Sequence, residues 1–262
     1  MRIRVNEDWW KTLFDEIYLL TDARSVCDEE LSSREVDLIC RLMAPGKEDR
    51  ILDMCGGQGR HSLELASRGF AGCTVLDYSQ YLVDQGMKTA RSRKIEVDFI
   101  RSDARDTGLP GSSFDHVMIL GNSLGYLPEI DDDLKILKEA YRLLKAGGNL
   151  LLDVADGKLV KDSMAPVAWH ETDGTVVVCR RRELKGDSVS ARELVLCKER
   201  GLLRDQAYRV RLFESNDLKG LLTEAGFSTV DVHSDFSPHA GDEDYGFMDK
   251  RLLVTAVKGA FD

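Results

Sequence analysis

Apolar residues follow two alternating patterns between residues 50 and 154 of the 262-residue chain. Short apolar runs of strand length are each followed by a segment in which apolar residues recur at helical spacing. Strands that alternate with helices in this way predict parallel β-α-β units and a doubly wound α/β sheet. The predicted strands are 50–55, 72–77, 95–103, 114–121 and 149–154, and the predicted helices are 59–68, 80–93 and 131–145.

The flanking segments extend this arrangement. Upstream, residues 8–20 have aromatic and aliphatic side chains at helical spacing, and a second helix is expected over 30–42, before Pro45. Downstream, three strand-like runs are joined by short polar turns, which predicts an antiparallel ribbon inserted into the α/β fold. The downstream strands are predicted at 175–184, 188–199, 203–213, 227–235 and 250–258, with one helix at 215–225.

Composition and charge restrict the class of protein. Apolar residues make up 43% and charged residues 31% of the chain, and the net charge is −10. An acidic chain is a poor partner for nucleic acid or an anionic membrane, where affinity comes largely from Lys and Arg. The six cysteines include no CxxC pair and no spacing typical of a zinc site, so we expect reduced thiols, no metal and a cytoplasmic location.

A glycine-rich loop follows the first predicted strand, in the stretch ILDMCGGQGRHS (51–62). Glycines let the backbone turn tightly and approach a ligand, and doubly wound sheets bind ligands at the carboxyl ends of their strands. The loop is not a dinucleotide fingerprint, because Ser62 stands where GxGxxG requires a third glycine after Gly57 and Gly59. It is not a phosphate-binding P-loop either, since no GK[ST] follows.

Three carboxylates indicate a different ligand. Asp77 ends the second strand, where a carboxylate can accept from both hydroxyls of a ribose, and Asp103 ends the third, where it can accept from an adenine amino group. Asp53 lies in the first strand and suits a cationic amino group better than a pyrophosphate, which it would repel. A ligand that joins adenosine to an amino acid is S-adenosylmethionine.

The chain resembles the class I S-adenosylmethionine-dependent methyltransferases over nearly its whole length. ILDMCGGQG is similar to their first motif, VLDYS (75–79) to their second, and RSDARDTGLPGSSFDHVMILG (101–121) to their third and fourth. AYRLLKAGGNLLLDV (140–154) resembles the helix and strand that follow, and the two final strands resemble the family's reversed last strand. The resemblance implies an α/β fold with a seven-stranded Rossmann-like sheet and an inserted antiparallel β-sheet.

The resemblance also implies where the cofactor binds. The glycine loop would cradle the methionine end, the acid of the second strand would hold the ribose, and the acid of the third strand, with the backbone that follows it, would hold the adenine. The turn after the fourth strand would lie beside the sulfonium. The candidate cofactor-binding residues are Asp53, Cys55, Gly57, Gly59, His61, Asp77, Tyr78, Ser79, Asp103, Ala104, Gly121 and Asn122.

Cys55 departs from the family pattern, because it stands where the first glycine of the loop is usual. We expect this position, at the end of a strand, to need less backbone freedom than the turn itself. We therefore predict that cofactor binding survives, and that Cys55 packs as a small side chain without touching the cofactor.

These assignments divide the chain into three predicted parts. Residues 1–45 are predicted to form an N-terminal helical lid. Residues 46–156 and 213–262 are predicted to form the cofactor-binding domain. The inserted residues 157–212 are predicted to contact substrate or to mediate oligomerisation, including a possible homodimer.

The loop after the fourth strand, ILGNSLGYLPE (119–129), narrows the choice of methyl acceptor. It lacks the prolines of the [DN]PP[YFW] motif of enzymes that methylate base amines in DNA. LGNSLGYLP is similar to LGNSF-x-HLP of glycine N-methyltransferases, and SDFSP (234–238) to their GDFKP, which implies that Asn122 could bind the acceptor. Those enzymes carry DHR after the fifth strand, whose arginine holds the substrate carboxylate. Here the triplet ends in Ala155, which argues against glycine itself.

Catalytic groups and arginines complete the candidate set. Asn122 and Tyr126 are the catalytic candidates, and Tyr126 and Tyr18 could also contact the sulfonium by cation–π attraction. His61 is expected to pack in the first turn of its helix, and His170 and His239 to lie at the surface. The candidate bases are His61, Tyr126, His170, His233 and His239. The arginines of the insertion, Arg180, Arg181, Arg182, Arg209 and Arg211, are expected to form a solvated face paired with Glu183, Glu193 and Glu199, with an acidic substrate as the alternative.

The sequence thus predicts an S-adenosylmethionine-dependent methyltransferase that transfers a methyl group to the nitrogen or oxygen of a small molecule by in-line displacement. Positioning supplies most of the catalysis in such a reaction. We expect no nucleic acid or membrane partner. The alternatives are a methyltransferase acting on RNA or protein and a non-catalytic nucleoside-binding protein of the same fold.

Overall fold

The computed structural model describes residues 2–172, 174–236 and 251–260. A short 3-10 turn at Trp9–Lys11 precedes the helices. The helices are α1 (Glu16–Thr21), α2 (Ala23–Val26), α3 (Glu29–Met43), α4 (Arg60–Ser67), α5 (Gln80–Arg93), α6 (Ile130–Leu143), α7 (Gly157–Ser163) and α8 (Ser215–Ala225). The strands are β1 (Arg50–Met54), β2 (Gly72–Asp77), β3 (Asp98–Arg101), β4 (Phe114–Ile119), β5 (Leu144–Ala155), β6 (Val167–Thr172), β7 (Val176–Lys185), β8 (Ser188–Cys197), β9 (Gly201–Arg211), β10 (Thr229–Phe236) and β11 (Arg251–Val257). Within these residues no helix combines the length and apolar character needed to cross a bilayer.

Seven strands form the central sheet in the order β10-β11-β5-β4-β1-β2-β3. The strands β1 to β5 run parallel, whereas β11 runs antiparallel to both β5 and β10. The predicted seven-stranded α/β sheet with a reversed last strand is therefore confirmed. The strand order reverses between β1 and β4, and doubly wound sheets bind ligands at the carboxyl ends of strands beside such a reversal.

Helices cover both faces of this sheet. Ile51 of β1 packs in one apolar cluster with residues of α3 and α4, and its neighbour Leu52 packs in another with residues of α6 and α8. Because successive side chains of a strand point to opposite faces, a strand covered on both sides needs an unbroken apolar run. This burial explains why the central strands could be predicted from apolar runs alone.

The inserted segment forms a second sheet with the strand order β6-β7-β8-β9, antiparallel throughout. The three predicted strands correspond to β7, β8 and β9, and the sequence did not predict β6. Its apolar residues Val167 and Trp169 are 64% and 68% exposed, so β6 lacks a buried apolar face that would reveal it. Association of two chains through this insertion stays a prediction.

The N-terminal segment differs from the single helix predicted over 8–20. Asp15 interrupts it, because its carboxylate accepts hydrogen bonds from the backbone N–H groups of Ile17 and Tyr18 and starts α1 as an N-cap. The segment packs on the inner face of the second sheet, where Ile17 and Leu20 contact buried residues of β7 and β8. The helix α3 instead belongs to the layer that covers the central sheet. The boundaries predicted for the three parts of the chain stay predictions.

Candidate active site

The glycine loop leaves β1 through three residues in the left-handed backbone region. The φ angles are 61° at Cys55, 59° at Gly57 and 73° at Gly59. The expectation that Cys55 needs less backbone freedom than the turn is therefore wrong, because a residue with a Cβ rarely adopts this conformation. Cys55 lines the wall where two cavities meet, so its thiol lies beside the candidate ligand site rather than away from it.

Asp53 is held below this loop with one oxygen free. Its carboxyl is 1% exposed, and Oδ2 accepts a hydrogen bond of 3.0 Å from the Ser62 hydroxyl. Within the described residues Oδ1 has no hydrogen-bond partner, although it is buried. Burial raises the pKa of this carboxyl. A buried acceptor without a partner fits a ligand that brings a cationic amino group, as the methionine end of S-adenosylmethionine does.

Asp77 connects the glycine loop to the start of α5. Its Oδ2 accepts from the Gly57 N–H and its Oδ1 from the Ser79 N–H, each at 2.8 Å. Burial raises the pKa of Asp77 to about 6. Each carboxylate oxygen can accept more than one hydrogen bond, so both remain able to accept from ribose hydroxyls.

Asp103 already has a partner in the chain. Arg105 donates to it from Nε at 3.0 Å and from Nη2 at 2.7 Å, a bidentate pair. Although partial burial alone would raise the pKa of Asp103, this guanidinium lowers it. The carboxylate is therefore ionised and fixed in orientation, and it lies in the wall of the same cavity as Asp77, with Ala104 beside it.

Two cavities meet at the carboxyl ends of β1 and β4. The first, which we call the nucleoside cavity, contains Asp77, Asp103 and the side chains of Leu82 and Ile136. The second, which we call the acceptor cavity, has a volume of about 150 Å³ and contains Asp53 together with residues of the inserted sheet. The predicted cofactor-binding residues other than Gly59 all line one cavity or both: Asp53, Cys55, Gly57, His61, Asp77, Tyr78, Ser79, Asp103, Ala104, Gly121 and Asn122.

Gly59 lies where the loop packs against the central sheet. A Cβ at this position would lie 2.8 Å from Cγ2 of Val75 and 3.0 Å from Cε1 of Phe99, so only glycine allows this approach of the loop to β2 and β3. Acidic groups at one end, an apolar wall and a glycine cradle together fit the adenosyl amino acid that the sequence predicts.

The turn after β4 is fixed by β5. Asn122 has a φ of 61° and is buried, and its Oδ1 accepts a hydrogen bond of 2.8 Å from the Ala155 N–H. The Asp153 carboxylate accepts from the Gly121 N–H at 3.3 Å and from Nε of Arg251 at 2.6 Å. Because its oxygen already accepts from the backbone, Asn122 has its amide N–H groups available as donors to a ligand in the acceptor cavity.

Arg251 was not predicted from the sequence. It stands directly opposite Ala155 in the pairing of β11 with β5, the position at which glycine N-methyltransferases were expected to carry their arginine. Its side chain is buried and pairs with Asp153, outside the lining of the acceptor cavity. The guanidinium therefore supports the turn after β4 from below.

Aromatic rings line both cavities. Tyr126 packs against Trp9 with ring centroids 5.2 Å apart and against Phe14 at 5.6 Å, and Phe14 packs against Tyr18 at 5.1 Å. Burial raises the pKa of both Tyr126 and Tyr18. These phenols stay protonated near neutral pH, so Tyr126 does not suit the role of a general base. Its ring remains placed to contact a cation.

His61 lies at the base of the acceptor cavity, in the first turn of α4 as predicted. It is 5% exposed, and its Nε2 lies 3.0 Å from Oε2 of Glu35. Glu35 also accepts a hydrogen bond from Arg60. Although burial alone would raise the pKa of Glu35, the hydrogen bond from His61 and the charge of Arg60 lower it.

The other histidines lie apart from the cavities. His170 is half-buried on the edge strand β6, and its Nε2 lies 3.1 Å from the Thr21 carbonyl. His233 lies on β10, with Nε2 3.2 Å from the Thr255 hydroxyl. His239 and the last two residues of SDFSP (234–238) lie outside the described residues.

The expected solvated arginine face is wrong for three of its members, since Arg211 is largely buried and pairs with the buried Asp133. Arg180 and Arg182 point inwards from β7 and line the acceptor cavity. Arg181, between them, is exposed and pairs with Glu183 as expected. A strand whose inner face begins with valines and continues with arginines has no simple apolar alternation, so the sequence pattern did not distinguish its faces.

Arg204 and Tyr208 of β9 also line the acceptor cavity and were not predicted. Both lie on the same face of the second sheet as Arg180, across β8, where Glu193 faces Arg180 in register. In the sequence, β9 shows only an alternation of long side chains. That alternation does not indicate which face of the strand is turned towards the cavity.

Comparison with known proteins agrees with this site. Residues 51–148 match the family described as a methyltransferase domain. A glycine/sarcosine N-methyltransferase from Aphanothece halophytica is 30% identical over 224 residues, which cover 82% of this chain and 80% of that protein. The chain belongs to the S-adenosylmethionine-dependent methyltransferases.

Two further proteins show how far the similarity of this methyltransferase extends. UbiE, a ubiquinone/menaquinone biosynthesis C-methyltransferase from Rhizobium meliloti, is 38% identical over 120 residues, which cover 44% of this methyltransferase and 45% of that relative. The S-adenosylmethionine-bound structure of CalS10, an amino pentose methyltransferase from Micromonospora echinaspora, has a TM-score of 0.64 at 19% identity, covering 94% of this chain and 98% of that one. The second comparison extends the shared fold to the inserted sheet.

Proposed function

We propose that this methyltransferase methylates an amine nitrogen of a small molecule. The observation that carries the proposal is the lining of the acceptor cavity, to which the inserted sheet, the N-terminal segment and the glycine loop all contribute. Tyr208 and Val210 of β9 and Trp9 of the N-terminal turn line it together with the glycine loop. Such a cavity suits a ligand that can enter whole.

Different residues of the chain would bind different parts of the cofactor. Asp53 would hold the amino group of S-adenosylmethionine, and Asp77 and Asp103 its ribose and adenine. When bound, the cofactor supplies a methyl group activated by the positive charge of its sulfur. Phe14, Tyr18 and Tyr126 line both cavities and would surround the sulfonium where the cavities meet.

An amine fits better than a hydroxyl as the acceptor atom. An oxygen nucleophile usually needs a base, whereas an amine needs only to be uncharged, which burial favours. Tyr126 stays protonated, and His61 is already bound to Glu35. The Asn122 amide can hold a polar group of the acceptor. The name of the Aphanothece halophytica relative, an N-methyltransferase, supports the same choice.

Incubation with a labelled methyl donor and a metabolite extract tests the proposal. We expect label in a small amine, and we expect Asp77→Ala to lose at least about tenfold in rate, because a charged hydrogen-bond partner contributes about 1.5–3 kcal/mol. The control is Asp205→Asn, which alters an exposed ion pair with Arg192 on the outer face of the second sheet. Label only in RNA or protein, or only on oxygen, would reject the proposal.

A further inference from the structure

The acceptor cavity also indicates which amines enter it. We propose that the acceptor carries hydroxyl groups and no carboxylate next to its nitrogen, as in an amino alcohol or amino sugar. The inference rests on the proposed function, because it describes the acceptor of that same site. Its basis is that carboxylates of this chain already neutralise guanidinium groups lining the cavity.

Arg180 is paired with two carboxylates. Its Nη2 donates to both oxygens of Asp22, at 3.1 and 3.0 Å, and its Nε donates to Oε2 of Glu193 at 2.7 Å. The side chains of Arg180 and Glu193 are only 12% and 3% exposed. These charges hold one another in a fixed arrangement at the top of the cavity, so Arg180 is not available as a counter-ion for a ligand.

Two other guanidiniums of the cavity are paired in the same way. Arg204 forms ion pairs with Asp15 and with Glu193, and Arg60 forms one with Glu35. Arg182 donates a hydrogen bond to the Ala165 carbonyl. Three of the four guanidinium groups that line the cavity are thus paired with acids of the chain, and a carboxylate ligand would have to displace one of those acids to bind Arg180, Arg204 or Arg60.

A carboxylate would also meet like charge. Asp22 and Glu193 both line the cavity, and two carboxylates brought together without a cation repel each other strongly where water is excluded. The same two groups favour a hydroxyl or amine, because each carboxylate oxygen can accept a further hydrogen bond. Asp22 is 30% exposed and is therefore accessible to such a donor.

Tyr208 adds a donor and an apolar surface. Burial raises the pKa of Tyr208 to about 12, so the phenol is protonated and can donate to a hydroxyl oxygen. Its ring packs against Trp9 with centroids 5.6 Å apart, and together they offer faces for a carbon skeleton. Acids that accept, phenols that donate and aromatic walls suit a polyhydroxylated amine.

The labelled product from the metabolite extract gives the first test. We expect an N-methylated amine whose mass spectrum, before and after esterification, shows no carboxylate on the carbon beside the nitrogen. A labelled α-amino acid such as sarcosine would overturn this inference while leaving the proposed function intact. Label confined to macromolecules, or no labelled product, would reject the proposed function itself.

Glycine inhibition of Asp22→Asn gives the second test. Removing one of the two carboxylates on Arg180 should let the carboxylate of glycine bind there, so we expect glycine to inhibit transfer to the identified amine at least tenfold more strongly than in the parent chain. Ethanolamine, which carries a hydroxyl in place of that carboxylate, should gain nothing. Equal glycine inhibition of both proteins would overturn the inference.

The matched control is Asp205→Asn. Asp205 pairs with Arg192 on the opposite face of the same sheet, at 2.6–2.7 Å, so the variant removes a comparable ion pair without touching the cavity. We expect its glycine inhibition to equal that of the parent chain. A gain as large as that of Asp22→Asn would show that the effect comes from the sheet as a whole and would contradict the role given to Arg180.

Discussion

The pKa of Asp77 predicts how binding of a nucleoside depends on pH. The carboxyl has a pKa raised to about 6 by burial, and only its ionised form leaves both oxygens as acceptors for the ribose hydroxyls. With this pKa about one-tenth of the groups are ionised at pH 5 and about nine-tenths at pH 7. We therefore expect affinity to rise about tenfold over this interval, or about 1.4 kcal/mol.

The stability of the unliganded protein should change in the opposite direction. Because the folded-state pKa lies above the value of 3.8 for an unperturbed carboxyl, Asp77 contributes stability below about pH 4 that is lost as the pH rises through about 6. A bound nucleoside should offset this loss. The two trends together distinguish a titration of Asp77 from general acid damage to the protein, which would lower stability and affinity together.

Isothermal titration calorimetry with 5′-methylthioadenosine is the appropriate assay. This ligand lacks the amino acid end, so Asp53, whose pKa is also raised, is not expected to contact it. Asp77→Asn serves as the control, because an amide cannot titrate and its affinity should not vary between pH 5 and 7. A parent affinity that is the same at both pH values, or a variant that keeps the dependence, would refute the assignment of Asp77 to the ribose.

Substitutions at three further positions test the glycine loop and the acid below it. Asp53→Asn should weaken S-adenosylhomocysteine by about tenfold, the cost of a charged hydrogen bond, and leave 5′-methylthioadenosine unchanged in calorimetry. Cys55→Gly should be at least as stable as Cys55→Ala in urea unfolding. A left-handed φ costs a residue with a Cβ about 1–2 kcal/mol, whereas the extra conformational entropy of glycine costs about 0.5–1 kcal/mol. A more stable alanine variant would contradict the role given to this backbone angle. Gly59→Ala should lose about 2–4 kcal/mol, measured in the same way, since it combines that φ penalty with overpacking against Val75 and Phe99; a loss below 1 kcal/mol would show that the loop can move away.

The cofactor half of the molecule could be predicted because its signals are local. Strands buried on both faces read as apolar runs. Asp77, at the end of β2, and Asp103, two residues after β3, lie at the same edge of the parallel sheet. The acceptor half could not be predicted in this way. The pairing that turns Arg180 into the cavity joins it to Asp22, 158 residues earlier, and no spacing in the sequence reveals such a contact.

Local chemistry also explains two smaller differences between the predicted and the observed structure. The helix predicted over 8–20 is divided because the Asp15 carboxylate competes for backbone N–H groups, a choice that apolar periodicity does not register. Cys55 was judged by size alone, whereas the requirement at its position is a backbone angle. In both cases the side-chain pattern was identified correctly from the sequence. The backbone hydrogen bonding at Asp15 and the backbone conformation at Cys55 were not predicted.

The ion pair between Asp153 and Arg251 has a consequence for the order in which the site is built. The two residues are 98 positions apart, so a nascent chain carries the Asp153 carboxylate without its partner until β11 has been made and placed between β5 and β10. Closing so large a loop is slow in folding, because chain entropy is lost before the contact forms. The turn at Gly121 that hydrogen-bonds to this carboxylate is therefore completed by a strand synthesised after the other described strands of the central sheet, although the first β-α-β units contain nearly all the residues that would hold the cofactor.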